Sequence, residues 1–487
     1  MTALAIKPTA HVVDVLGNVI GRDQPILRME KALEMVASLG EEVFADENVV
    51  FFDPFTKAGE LLLACAFHRC WAKSKGQTKL LDMDMVFKEI YESNRYFGLA
   101  PDERHHRLSI RTFLGNTHSH DEDLNQIIRD GHYLSEVDGR LNKEKFEKEF
   151  KSMIEYINSK AKNKRLIAVG NPPYQENDGG FGGSATAVYN YFVESLMDHK
   201  EIAEAMVVIP SRWFTTGKGT ANFRDRVIGS KNIKSIRHFK HSKSVFPTVD
   251  VLGGVCFFHY DSSYNGKIEF SDGESTTKID LSETDIILDD PRGYELSSKI
   301  KNIWSGDFVS SIAWTVRPFG IRTFYFVRNG SLEQAHKKAI PCFTKRRKIL
   351  YANIDDIPKN TSKIDEWKVA VPKAYAPGSK MGVRRVTLPV NQYFIIPKGY
   401  ITTETYNIVG TFKTKKEAEN FLGYLTTNFS RYFLGLRKVT QDIYKNQWEW
   451  VPLVDVTQEW TDEKLYKMFK ISKEEQAHIA KKLQEWS

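Results

Sequence analysis

The apolar run Leu166-Ile167-Ala168-Val169 ends in Gly170 and then in Asn171-Pro172-Pro173-Tyr174. Asn171 and Pro172 each precede a proline, so both are steered toward extended backbone and the loop is stiff. Such a loop can hold an amide oxygen, from Asn171, and a backbone carbonyl, from Pro172, in fixed positions. Two acceptors of this kind take both hydrogens of a planar amino group, such as the exocyclic nitrogen of adenine. That nitrogen is a poor nucleophile because its lone pair is delocalised into the ring. Drawn toward tetrahedral geometry, it recovers the pair for attack on a methyl sulfonium. Tyr174 adds an aromatic face on which a base can stack once it is turned out of its helix. No metal and no covalent intermediate are required, since positioning supplies most of the rate.

A second loop has the character of a cofactor site. Val49-Val50-Phe51-Phe52 reads as a short buried strand, closed by Asp53-Pro54-Phe55-Thr56-Lys57-Ala58-Gly59. Open α/β sheets bind cofactors at the carboxyl ends of their strands. Gly59 permits close backbone approach to the methionine part of S-adenosylmethionine. Asp53 can accept a hydrogen bond in the same pocket, which Pro54, Phe55 and Thr56 would line. Asp130, after Gln126-Ile127-Ile128-Arg129, is another acid at a strand end, placed for the cofactor's adenine amino group. Asp102, after Gly98-Leu99-Ala100-Pro101, is placed for the ribose hydroxyls. A capped turn accounts equally for Asp130, and Pro101-Asp102-Glu103 equally reads as a helix start.

The elements that must position these loops alternate in kind. Helical spacing in Pro25–Val36 is followed by the strand at 49–52 and a helix from Glu60. Tyr96-Phe97-Gly98-Leu99 and Leu166-Ile167-Ala168-Val169 are further strands, Ala187–Met197 is helical, and Ala205–Ile209 is a strand closed by Pro210. A hairpin joins Ile233–Phe239 to Val251–Tyr260. This pattern predicts a largely parallel sheet with helices on both faces. After about residue 265 the character shifts, with linker-like Ser262–Asn265 and Asp289–Gly293, then short strands, basic clusters and aromatic-rich helices.

Gly170–Gln175 followed by Asp178-Gly179-Gly180 resembles the catalytic motif of the gamma-class N6-adenine DNA methyltransferases of type II restriction–modification systems, the Asn-Pro-Pro-Tyr family. Asp53–Gly59 resembles that branch's cofactor loop, and the Gln24-Pro25 helix the motif ahead of it. Ile209–Phe214 and Asn222–Asp225 resemble the motif that follows, and Phe246-Pro247 through Gly253-Gly254-Val255 its hairpin loop. Ile401–Tyr406, Trp450-Val451-Pro452 and Trp460–Glu463 extend the likeness to the far end. The resemblance implies an α/β, Rossmann-like S-adenosylmethionine-dependent methyltransferase fold over residues 1–265. It implies a C-terminal α+β target-recognition domain over residues 266–487. The implied function is site-specific adenine-N6 methylation of double-stranded DNA, with a separate restriction subunit as a possible partner. The implied catalytic residues are Asn171, Pro172, Pro173 and Tyr174. Two positions depart from the family: Lys57 stands where a first glycine is usual, and Ala100 where a ribose-binding carboxylate is usual.

Composition is compatible with this. The 487 residues carry a net charge of +7 and 12% aromatics, a balance that suits a polyanionic partner without requiring one. Lys240–Lys243, Lys345-Arg346-Arg347-Lys348 and Arg384-Arg385 can contact phosphates. Arg317-Pro318-Phe319-Gly320 and Lys438-Val439-Thr440-Gln441-Asp442 read as loops beside a DNA path. No run of eighteen apolar residues offers a membrane span. Cys65, Cys70, Cys256 and Cys342 lack metal-ligand spacing, which points to a reducing, cytoplasmic setting with no metal. Three alternatives stand beside the main reading. The same loop can orient a side-chain amide, as in glutamine-N5 protein methyltransferases, though a basic C-terminal domain is foreign to those. Cytosine-N4 methylation is a second, although serine at 171 would then be usual. A catalytically inactive DNA-binding module with this fold is the third.

Overall fold

The computed structural model describes residues 26–74, 83–114, 127–135, 139–161, 164–176, 186–215, 219–247, 249, 251, 253–375, 387–438 and 442–486. Gln24-Pro25, Asp178-Gly179-Gly180, Arg384-Arg385 and Val439–Gln441 lie outside the described residues. The chain divides into two compact units, residues 1–291 and 292–487.

The first unit is built on strands β1 (Val49–Asp53), β2 (Tyr96–Ala100), β3 (Ile128–Asp130), β4 (Arg165–Gly170), β7 (Ile202–Pro210), β8 (Ile233–Phe239), β9 (Val255–Asp261), β10 (Ile268–Ser271) and β11 (Thr276–Ile279). A short antiparallel pair, β5 (Gln175–Glu176) and β6 (Thr186–Ala187), stands apart. The nine-stranded sheet runs β11-β10-β8-β9-β7-β4-β1-β2-β3. Pairs β3/β2, β2/β1, β1/β4 and β4/β7 are parallel, whereas β9 is antiparallel to both β7 and β8. Every residue of β1 and β2 is buried, as expected of strands covered on both faces. The cover comes from α1 (Met29–Ala37), α2 (Glu41–Ala45), α3 (Glu60–Lys73), α4 (Met83–Glu92), α5 (Glu103–Ser109), α6 (Lys143–Lys160), α7 (Tyr189–Asp198) and α8 (Ala221–Gly229).

In the sequence the linker-like stretch begins near residue 262, yet the sheet does not end there. β10 and β11 alternate buried and exposed positions, and β10 joins β8 in parallel. The first compact unit therefore runs past residue 265 to 291. Its three cysteines, Cys65, Cys70 and Cys256, and Cys342 of the second unit are all buried and free. Among the described residues no helix is long and apolar enough to cross a membrane.

Packing also fixes one titration. The His68 ring on α3 stacks on Phe44 at 4.9 Å, and its Nε2 lies 3.0 Å from the Leu33 carbonyl. Burial holds its pKa below the ordinary histidine value. The unfolded chain then takes up a proton that the folded chain resists, so stability falls as pH drops below about 6.5. Urea midpoints at pH 7.5 and 5.5 should differ more for the wild type than for His68→Gln, which keeps a neutral donor for Leu33. Equal differences in the two proteins would remove His68 from the account.

The second unit holds two three-stranded sheets. In one, β12 (Ala339–Phe343) lies between antiparallel β13 (Ile349–Asn353) and parallel β16 (Ile401–Thr402). In the other, β14 (Trp367–Pro372) lies between β15 (Phe394–Ile396) and β17 (Tyr406–Phe412), both antiparallel to it. Phe319, Ile321, Cys342, Ile396, Ile401 and Ile408 belong to one apolar core in this unit.

Candidate active site

Strand order brings the predicted site residues to one edge of the sheet. β1 has β2 on one side and β4 on the other, so the chain direction of winding reverses between β1 and β4. Ligands of open α/β sheets bind at such a switch point, outside the carboxyl ends of the strands. β1 ends at Asp53, β2 at Ala100, β3 at Asp130 and β4 at Gly170. Parallel register sets Ala100 beside Asp130 and Asp53 beside Gly98.

The loop after β1 is locked from within. The Phe55 amide donates to Asp53 Oδ1 at 3.0 Å, and Thr56 Oγ1 donates to the Asp53 carbonyl at 2.6 Å. The Thr56 amide donates to Leu99 of β2 at 3.1 Å. Gly98 makes room for this, since a Cβ there would stand 2.5 Å from Thr56 Oγ1. The Pro54 carbonyl accepts from Tyr133 at 2.9 Å. Gly59 caps α3 with φ +76°, a left-handed conformation, and a Cβ on it would meet Phe113 Cβ at 2.8 Å. Phe55 is fully buried and meets Phe192 edge-on at 5.0 Å and stacks near Phe146 at 6.0 Å. Its ring therefore serves to seat the loop.

Charge is concentrated here although water is excluded. Asp53, Lys57 and Glu60 are all buried. Burial first, and the Glu60 charge second, raise the Asp53 pKa well above the usual carboxylate range. Burial pushes the Lys57 ammonium down to about 8, against the opposing pull of Glu60 and Asp53. Glu60 Oε1 accepts from the Leu27 amide at 3.4 Å and Oε2 from Ala58 at 3.2 Å.

The loop after β4 places Asn171 through Tyr174 in buried positions. Gly170 lies against the first loop, because a Cβ on it would stand 2.5 Å from Phe55 Cδ2. The Tyr174 ring meets Tyr189 at 6.5 Å and Phe246 at 6.1 Å, both edge-on. The Lys57 ammonium lies 5.7 Å from its centre. The ring is thus packed among these neighbours and only slightly exposed.

Asp130 and Asp102 fare differently. Asp130 Oδ1 accepts from the His132 amide at 3.0 Å, and burial raises its pKa. Asp102 caps α5: its Oδ1 accepts from the His105 amide at 2.9 Å, and both oxygens lie 2.7 Å from His105 Nδ1. Burial acts to raise the Asp102 pKa, but the His105 contacts outweigh it and the net shift is downward. The sequence alternative of a helix start is what the backbone shows, and its carboxylate is already committed. Two residues, Glu60 and His105, and one contact, that of Lys57 with Tyr174, escaped the sequence reading. The spacing Lys57-Ala58-Gly59-Glu60 at a helix start and Asp102 three residues before His105 were the available signals.

In the second unit the basic turn 345–348 is partly spoken for. Arg346 and Arg347 take left-handed φ of 59° and 58°. Arg347 donates to the Asn391 carbonyl at 2.5 Å and lies 4.4 Å over Phe394, while Lys345, Arg346 and Lys348 are exposed. Arg317 Nε is 3.3 Å from Glu404 Oε2, and Phe319 is buried.

Residues 94–246 match the sequence profile of the Eco57I restriction-modification methylase family. An uncharacterised adenine-specific methylase of Mycoplasma pneumoniae is 31% identical over 171 residues, covering 34% of this chain and 39% of the relative. The chain thus spans about two fifths of the length of the curated relative it matches. Among solved structures, the type IIG restriction endonuclease BpuSI aligns over 94% of this chain and 62% of its own, at 13% identity and a TM-score of 0.40. The type I restriction-modification methyltransferase subunit from Streptococcus thermophilus aligns over 55% of this chain and 54% of its own, at 12% identity and a TM-score of 0.33. The matched stretch, residues 94–246, carries β4 and the Asn171–Tyr174 loop, and it is there that the chain is similar to the Eco57I restriction-modification methylase family.

Proposed function

We propose that this protein is a site-specific DNA adenine-N6 methyltransferase that uses S-adenosylmethionine. One observation carries the reading: the Asn171–Tyr174 loop and the Asp53–Gly59 loop flank the same switch point, joined through Gly170 and Phe55. The residues around the first loop suit this cofactor. The left-handed Gly59 backbone allows close approach, and the buried Asp53 and Glu60 carboxylates suit a ligand bearing a sulfonium and an α-amino group. When bound, S-adenosylmethionine supplies an electrophilic methyl group. Asn171 Oδ1 and the Pro172 carbonyl accept the two amino hydrogens of the base and localise the nitrogen lone pair. Pro173 stiffens the loop, and Tyr174 gives the extruded base an aromatic surface. Pro54, Phe55 and Thr56 hold the loop after β1 in shape, Asp53 and Gly59 would hold the cofactor, and Asp130 would accept from its amino group. Asp102 reaches a ribose only by giving up contacts to His105.

Residues 292–487 serve as the DNA-reading unit in this proposal. Exposed Lys345, Arg346 and Lys348 meet phosphates, with affinity that falls steeply with salt. The test is long-read sequencing of DNA from cells expressing the chain, beside incorporation of tritiated methyl groups into duplex DNA in vitro. Methylated adenine at one fixed position of one recurring motif is the expected result. Methylated cytosine, or label in protein and none in DNA, overturns it.

A further inference from the structure

Lys57 is the position at which the cofactor loop departs from the family's glycine pattern. A lysine that is 2% exposed must find compensation for lost hydration. It does so on three sides. Glu60, fixed by the amides of Leu27 and Ala58, and Asp53, fixed by the amide of Phe55, face it with carboxylates. The third side is the ring of Tyr174, whose centre is 5.7 Å from Nζ. A desolvated cation over an aromatic face is attracted by the ring's negative face. The ammonium is therefore anchored by one loop and laid on the aromatic residue of the other.

We propose that Lys57 is a positioning residue for Tyr174, holding the tyrosine of the catalytic loop at its working angle from the cofactor loop. The proposal rests on the methyltransferase reading. It also states why a side chain occupies this place: glycine would leave the Tyr174 ring fixed only by Tyr189 and Phe246. Because both acids sit in the cofactor pocket, a ligand that engages Asp53 or Glu60 alters the hold on Tyr174.

Two measurements on the full chain test it. The first is independent of DNA methylation: nuclear magnetic resonance of protein carrying ring-13C tyrosine, the Tyr174 signal being the one lost in Tyr174→Phe. Lys57 titrates near 8 among Asp53, Glu60, Tyr174 and the neighbouring Tyr189 and Cys256, and Tyr174 itself is held protonated far above that by burial. The Tyr174 ring signal should move as pH rises through about 8 in the wild type. It should stay still in Lys57→Arg, which remains charged, and in Lys57→Met. A titration that persists in Lys57→Met belongs to a carboxylate and overturns the proposal.

The second separates chemistry from cofactor binding. Lys57→Met should lower the single-turnover methylation rate about tenfold, with the calorimetric Kd for S-adenosylmethionine changed less than threefold. Lys57→Arg should recover the rate to within about threefold of wild type. Should Lys57→Met fold poorly, Lys57→Gln, which keeps a polar head without the charge and leaves both acids in place, should show the same split. A rate unchanged in these variants, or one lost only in step with cofactor affinity, overturns the proposal. A wild type that binds cofactor, shows the ring titration and methylates no DNA defeats the methyltransferase reading alone.

Discussion

Replacement of Asn171 by alanine should reduce methyl transfer to duplex DNA by on the order of a thousandfold, comparable to removing one preorganised group from an active site. The side chain is buried at the end of β4, where two prolines fix the backbone that follows. Alanine deletes the amide oxygen and leaves the Pro172 carbonyl as the only acceptor for two hydrogens. The base nitrogen then keeps its lone pair in the ring. Cofactor affinity, set by the loop after β1, should change little. Incorporation of tritiated methyl groups measures the rate, and calorimetry measures the cofactor. Retention of more than a tenth of the wild-type rate would show that Asn171 does not orient the amino group.

The second large effect is expected from one methyl group. Gly170→Ala places a carbon 2.5 Å from Phe55 Cδ2. That ring cannot step aside cheaply, because Phe192 and Phe146 enclose it. Overpacking of this sort costs about 1–3 kcal/mol. The strain is relieved by separating the two loops, and a displacement near 1 Å at a reacting centre costs about a hundredfold in rate. Gly170→Ala should therefore lose roughly a hundredfold in kcat while its urea midpoint falls only modestly. A companion Phe55→Leu change, which shortens the obstructing ring, should restore part of the rate in the double variant. An unaltered rate in Gly170→Ala would mean that the loops tolerate separation.

The sequence was most legible where its signals are local. Val49–Phe52 and Leu166–Val169 are apolar runs of strand length, and both are buried strands. Asn171–Tyr174 and Asp53–Gly59 are contiguous, so each could be read as a loop with its own chemistry. What escaped depends on segments far apart in the chain. That Phe55 fills the space left by Gly170, or that Lys57 covers Tyr174, follows only once β1 and β4 lie side by side. Asp102 shows a different limit. Its spacing to His105 is a capping signature, yet the same acid at a strand end also suits a ribose, and only the hydrogen bonds separate the two uses. β10 and β11 were hidden because they are short and follow polar turns.

The hairpin formed by β10 and β11 bears on how the protein can be dissected. Cut at residue 265, the first unit would lose the strand that pairs with Ser235, Ile236 and Arg237. The bare backbone of β8 would become an open edge, which invites pairing between copies and precipitation. Phe270 and Ile268, both buried, would no longer cover their part of the sheet. A fragment prepared for crystallisation or for isotope labelling should therefore extend to Pro291, where the compact unit ends.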